Sequence, residues 1–89
     1  MAYLFALYDT EAEQWSNPFV AQNVKIAARA IRQTFSGLPD DISLAYSLHN
    51  LGVYNADDAH NPFVPHSKPV LVMSGKGIYS FIQDGVYEQ

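Results

Sequence analysis

The chain has 89 residues, no cysteine, five basic and nine acidic side chains, and a formal charge of −4. We expect a single domain over residues 1–89, because either half alone would be too small to form a core. A hydrophobic content of 48% with only 16% charged residues excludes a disordered chain. Without cysteine, neither disulfides nor a thiolate metal site can stabilise so small a domain. We therefore expect a homodimer that buries part of the aromatic surface.

The N-terminal apolar run, residues 3–8, ends at Asp9 and has no basic leader. It is too short for a membrane span or a signal peptide, so we expect a cytoplasmic protein with no membrane partner. Because both of its faces are apolar, the run predicts a central strand that is covered on both sides or by a partner. Residues 14–20 resume an extended pattern, which predicts a hairpin whose returning strand is an edge or stops at Pro18.

The clearest pattern is an amphipathic helix over residues 23–36. Asn23 is a suitable N-cap, Gly37 follows the last turn, and Pro39 prevents continuation. At about 100° per residue, five apolar residues fall on one stripe of this helix: Val24, Ala27, Ala28, Ile31 and Phe35.

The second half of the chain predicts further strands. Leu44, Tyr46 and Leu48 alternate with small or polar residues, as in a half-buried strand, and Gly52 indicates a bulge in its continuation. The proline-containing residues 61–69 predict an irregular extended segment, and residues 70–73 a short buried strand. Residues 74–77 predict a turn, and residues 78–86 fit a helix or a strand. The expected fold is α+β, a small antiparallel sheet of about four strands with the helix 23–36 on one face.

Patterns for catalysis and metal binding are weak. The histidines His49, His60 and His66 have spacings that lack the close ligand pairs of a structural zinc site. Residues 75–77, Gly-Lys-Gly, lack the Ser or Thr that follows the lysine of a phosphate loop. No serine lies in a Gly-x-Ser-x-Gly turn. We expect no enzyme, no metal and no cofactor.

The remaining candidate site is a basic stripe. Lys25, Arg29 and Arg32 fall at i, i+4 and i+7 of the predicted helix and are three of the five basic residues. Such a stripe can simply solvate the flank of a helix, or it can contact phosphates while bases stack on exposed rings. The rings available for stacking are Tyr8, Trp15 and Tyr54. The charge of −4 provides no long-range attraction for nucleic acid, and both interpretations stay open at this point.

Three blocks in chain order carry a family resemblance. They are a strand ending in Asp with a polar turn (residues 8–12), Asn-Pro-Phe-Val (17–20) leading into a helix with Ala28, Arg29 and Phe35, and Leu-Pro-Asp-Asp (38–41) followed by residues 46–58. Over residues 3–60 the chain resembles the small non-structural DNA-binding protein of gokushoviruses and related single-stranded DNA phages of the Microviridae. Residues 42–45 are additional, Ala59 stands where a glycine is usual, and the later segments are less similar.

The resemblance implies binding of single-stranded DNA, in the cytoplasm of a bacterial host, and a role in the shift from duplex copying to single-strand production and packaging. By analogy it assigns a DNA contact to Arg29. The alternative is a non-enzymatic accessory protein that binds a replication or capsid protein through its apolar strands and the two Asn-Pro-Phe-Val segments, residues 17–20 and 61–64.

Overall fold

The computed structural model describes residues 1–84, apart from the side chain of residue 40. In chain order its elements are β1 (Ala2–Asp9), β2 (Gln14–Trp15), β3 (Phe19–Ala21), α1 (Val24–Thr34), a 3₁₀ helix (Asp40–Ala45), β4 (Tyr46–Tyr54), β5 (Phe63–Met73) and α2 (Gly75–Asp84). The predicted α+β class is confirmed. The sheet has five strands instead of about four, and a second helix joins the predicted one.

The sheet is antiparallel, in the order β2-β1-β4-β5, and β3 also pairs with β1 beside β2. The predicted hairpin return on β1 is therefore confirmed, with a gap at residues 16–18 that contains Pro18. Proline has no N–H to donate to the ladder. The segment between β2 and β3 remains bound to β1 through two hydrogen bonds. The Leu7 N–H donates to Ser16 Oγ at 3.0 Å, and the Ser16 N–H donates to the Leu7 carbonyl at 2.8 Å.

Helix α1 forms as its sequence predicts. Asn23 caps it, and the Asn23 side chain accepts a hydrogen bond from the Ile26 N–H at 2.9 Å. Gly37, with a φ of 82°, follows its last turn in the left-handed conformation that glycine adopts without strain. The buried side of the helix contributes Ala27, Ala28 and Ile31 to the core, and Phe35 follows directly after the helix. The strands contribute Phe5, Leu7 and Leu48 to the same core.

The predicted turn at residues 74–77 is wrong, because α2 begins at Gly75. Ser74 Oγ accepts a hydrogen bond from the Gly77 N–H at 3.2 Å, which satisfies one free donor of the first turn. The closing segment is thus a helix as far as Asp84, and its Ile78 and Phe81 complete the core. Residues 85 and 86, the end of that predicted segment, lie outside the described residues.

Strand β4 begins at Tyr46, two residues after the predicted start, because Leu44 belongs to the 3₁₀ helix. The bulge predicted at Gly52 is confirmed. The pairing of β1 with β4 shifts between Leu4 and Phe5, and Leu51 is the extra residue on β4.

Strand β5 corrects two predictions. Residues 63–69 form strand instead of irregular chain, and Val70 and Leu71 are 51% and 58% exposed instead of buried. Both corrections have one cause, because β5 is the outermost strand on its side of the described sheet. An edge strand tolerates proline, and residues 66–69 bulge opposite Leu51 while the ladder resumes at Val70.

The sheet has one covered and one open face. Successive residues of a strand point to opposite faces. Tyr3, Phe5 and Leu7 of β1 pack in or against the core that α1 and α2 cover. The intervening residues, including Leu4 and Tyr8, point to the other side, which no helix of the described chain covers. We call the two sides the covered face and the open face.

Candidate nucleic-acid interface

The basic stripe of Lys25, Arg29 and Arg32 lies exposed on a flank of α1, beside its buried residues Ala27, Ala28 and Ile31. With a helical rise of about 1.5 Å per residue, the stripe extends over roughly 10 Å from Lys25 to Arg32. The chain has no Asp or Glu between residues 22 and 39, so no carboxylate of its own helix neutralises these cations. The segment is therefore a local positive surface on an acidic protein.

Arg29 and Arg32 also line an open groove of about 320 Å³ with Gln33 and Ser36. Guanidinium, amide and hydroxyl groups all donate hydrogen bonds that phosphate oxygens accept. The sequence analysis missed Gln33 and Ser36. Each lies four residues after one of the arginines, so helical spacing would have placed them beside the stripe.

Two of the three predicted stacking rings come together on the open face. Tyr8 and Trp15 are direct partners across β1 and β2, with ring centroids 4.9 Å apart. Trp15 is 46% exposed. Tyr54 lies on the same face but pairs with Ala2, six residues from Tyr8 along β1, or about 20 Å. Tyr54 is thus not part of this aromatic pair.

The six residues predicted to bind DNA therefore occupy two surfaces. Lys25, Arg29 and Arg32 lie on the helical layer over the covered face, whereas the aromatic rings lie on the open face. The separation follows from the alternation of β1, since Leu7 points into the core beneath the helices and its neighbour Tyr8 points away. One nucleotide cannot contact the stripe and the Tyr8–Trp15 pair of the same molecule.

His49 is the third aromatic side chain beside this pair, 5.0 Å from the Trp15 ring. Its Nε2 lies 2.9 Å from Ser47 Oγ, and its Nδ1 is buried without a hydrogen-bond partner. Burial lowers the pKa of His49 below its ordinary value of 6.5, so the ring is neutral at pH 7. In residues 1–84, no three His, Cys, Asp or Glu side chains come together as a metal would require.

An acidic depression of about 530 Å³ lies between the turn after β1 and the 3₁₀ helix. Its lining includes Asp9, Glu11 and Asp41. Carboxylates repel phosphate, which excludes this larger depression as a nucleic-acid site. Acidic and basic groups thus form separate surfaces, and the basic one lies on α1.

These features define a small α+β protein with two helices on one face of an antiparallel sheet. A family model described as Phage ORF5 protein matches residues 2–78, and the chain belongs to this phage family. The match continues past residue 60 through β5 into α2, so the later segments belong to the family as well. No curated protein and no solved structure matches the chain. None of the helices in residues 1–84 is long and apolar enough to cross a membrane.

Proposed function

We propose that this phage protein binds single-stranded DNA with little sequence preference through the basic stripe of Lys25, Arg29 and Arg32. One observation carries the proposal, namely three exposed cations on one side of a helix that contains no carboxylate. The groove beside Arg29 and Arg32 adds neutral donors for phosphate oxygens. Contacts to phosphate position a nucleic acid without reading its bases, which accounts for the weak sequence preference.

The acidic remainder of the chain limits the affinity. Outside the stripe, two bases (five minus three) stand against nine acids. The protein therefore does not attract DNA over long distances, and binding depends on short-range contacts at the stripe. Such binding is modest in affinity and sensitive to salt.

The proposed role is that of a non-enzymatic accessory protein of viral DNA synthesis in the cytoplasm of the bacterial host. Membership of a phage protein family supports a viral role. The resemblance of residues 3–60 to the Microviridae protein supports the particular step. Newly made single strands that carry bound protein are withheld from copying into duplex, which favours single-strand production and packaging.

Fluorescence anisotropy of a labelled oligothymidine tests the proposal. Each phosphate contact to a single strand contributes about −0.7 to the slope of log affinity against log salt, so three contacts predict a slope of about −2. The double variant Arg29→Glu/Arg32→Glu should weaken binding about tenfold or more and flatten the salt dependence.

The matched control is Lys68→Glu/Lys76→Glu, two exposed positions outside α1. Both double variants change the net charge by four units, from −4 to −8. The control should keep most of the wild-type affinity if the stripe is the site. No binding by the wild-type protein at low salt, or an equal loss in the two double variants, refutes the proposal.

A further inference from the structure

The open face is made of four rows of side chains that pair across neighbouring strands. Paired residues share a face of the sheet. The rows are Trp15–Tyr8–Ser47, Ala6–His49–Leu71, Val20–Leu4–Gly52–Pro65 and Ala2–Tyr54–Phe63. None of these residues is Asp, Glu, Lys or Arg. A sheet face in contact with water normally carries polar side chains, and this one is almost entirely apolar and aromatic.

Several of these side chains are large and exposed. Val20 is 49% exposed, Trp15 46% and Leu71 58%. They belong to three different rows, so the exposed apolar surface extends across the face instead of lying at one point. Exposed apolar side chains spread over a sheet face in this way mark a surface that another molecule covers.

Both edges of the sheet carry features that oppose pairing with the strand of another molecule. Strand β5 carries Pro65, Lys68 and Pro69, and the opposite edge consists of two short strands separated by a gap at Pro18. Proline and lysine on edge strands oppose pairing with another sheet. Association through an edge is therefore disfavoured, whereas the paired rows of the open face contain no charged side chain that would oppose contact.

We infer that a second copy of this chain covers the open face, so that two sheets pack face to face with their helices outside. In a two-fold dimer the same patch meets itself, and a patch without charge does not repel its own copy. Nucleic acid would need cations on this face, and its rows contain none. His49 remains neutral at pH 7 and is compatible with such an interface.

The size of the face is adequate for a dimer of modest affinity. The eight residues of β1 give the face a length of roughly 26 Å, and four strands side by side give it a width of roughly 19 Å. The area of the face in flat projection is therefore about 500 Å². The relief of the side chains increases the accessible area towards the roughly 800 Å² per partner of a standard interface. We expect a dimer that dissociates on dilution.

The dimer also determines where two basic stripes lie. Each α1 packs on the covered face of its own sheet, so the stripes come to opposite outer surfaces and do not merge into one groove. If the stripe binds DNA as proposed, one dimer holds two separate strand segments. The dimer itself does not depend on DNA binding.

Sedimentation velocity and Trp15 fluorescence, both measured without DNA over a range of protein concentrations, test the inference. The chain has a single tryptophan, so its emission reports on the open face alone. The mass should rise to that of a dimer with concentration, and the emission should shift to shorter wavelength over the same range. Leu71→Glu should abolish both changes with its circular dichroism unchanged.

Leu38→Glu is the matched control, because Leu38 is a 46% exposed leucine in the turn after α1, outside the strands of the sheet. It should dimerise as the wild type does. A wild-type protein that stays monomeric at its highest soluble concentration, or a dimer that leaves Trp15 emission unchanged, overturns the inference without reference to any variant. A folded Leu71→Glu variant that still dimerises overturns it too. So does a monomer whose Trp15 emission shifts only when a phage replication or capsid protein is added.

Discussion

On the covered face of the sheet, Phe5 and Leu48 are completely buried beneath the helices, whereas on the open face Leu71 is 58% exposed and Trp15 46%. The side chains of the two faces are nonetheless similar in kind, since both are rich in leucine and aromatic residues. The chain thus has more apolar strand surface than its own two described helices can cover. A small domain of this type gains stability when a second molecule covers the remainder.

The two sides of the molecule also differ in charge. The helical side presents Lys25, Arg29 and Arg32, and the rows of the open face contain no charged residue. The proposed DNA contact and the proposed dimer contact therefore use different surfaces and do not compete. This arrangement resolves the difficulty posed by the charge of −4, because the positive field needed for phosphate is local to α1.

The largest expected difference between the faces is in stability. Leu48→Ala removes a completely buried side chain from the covered face and should lower the free energy of unfolding by about 2–5 kcal/mol. Leu71→Ala, on the open face, should change it by no more than about 0.5 kcal/mol in the monomer. Urea unfolding at a concentration below dimerisation measures both. Equal losses for the two variants would mean that the open face is packed within a single chain.

A smaller effect concerns how the helical layer approaches the sheet. A Cβ on Gly75 would lie 2.8 Å from the Leu44 carbonyl carbon and 3.0 Å from the Tyr46 carbonyl oxygen. Gly75→Ala should therefore force α2 away from the 3₁₀ helix and cost about 1–3 kcal/mol. Gly77 is the control, because the nearest atoms to its Cβ would be 3.7 Å away. Gly77→Ala should be neutral or stabilising by up to about 1 kcal/mol in thermal unfolding, and a loss as large as that of Gly75→Ala would contradict the close approach.

The smallest expected effect is the pH dependence of the open face. The pKa of His49 is lowered by burial, so between that pKa and 6.5 the unfolded chain binds more protons than the folded one. Stability is therefore greatest above pH 6.5 and is lost as the pH falls from 6.5 through the lowered pKa of His49. The groups that lie beside its ring are the aromatic rings of Tyr8 and Trp15 and the hydroxyl of Ser47, none of them a carboxylate or a lysine or arginine cation. His49→Gln should lose less stability than the wild type between about pH 7 and about pH 5. Equal losses in urea unfolding would exclude His49 as the cause.

Local sequence signals predicted α1 and the hairpin of β1 with β2 and β3 well. Asn23, Gly37 and the apolar spacing act within a few residues of one another, so they are visible without the rest of the fold. The edge position of β5 is not a local property. From the sequence alone, the prolines of β5 predict irregular chain because proline has no N–H for a ladder hydrogen bond. The sheet order shows that β5 is an edge strand, on which no further strand requires such a donor.

The start of helix α2 could not be predicted from the sequence, because its two glycines lower helix propensity. Ser74 was the available signal, since its hydroxyl caps the first turn, but the reason for Gly75 lies in its contact with the distant Leu44. The basic stripe could be predicted from spacing, because all three cations lie on one helix. Its separation from Tyr8 and Trp15 could not, since this depends on which face of β1 the helices cover.

The central claim is that DNA and the second copy use opposite sides of the sheet. A ¹H–¹⁵N correlation spectrum of the protein, titrated with an oligothymidine at constant protein concentration, tests it most directly. The account predicts shifts for the backbone amides of α1 around Arg29 and Arg32, and none for the Trp15 indole N–H, which should respond to dilution instead. Shifts of the Trp15 indole and the Tyr8 amide on addition of DNA, with α1 unaffected, would contradict it.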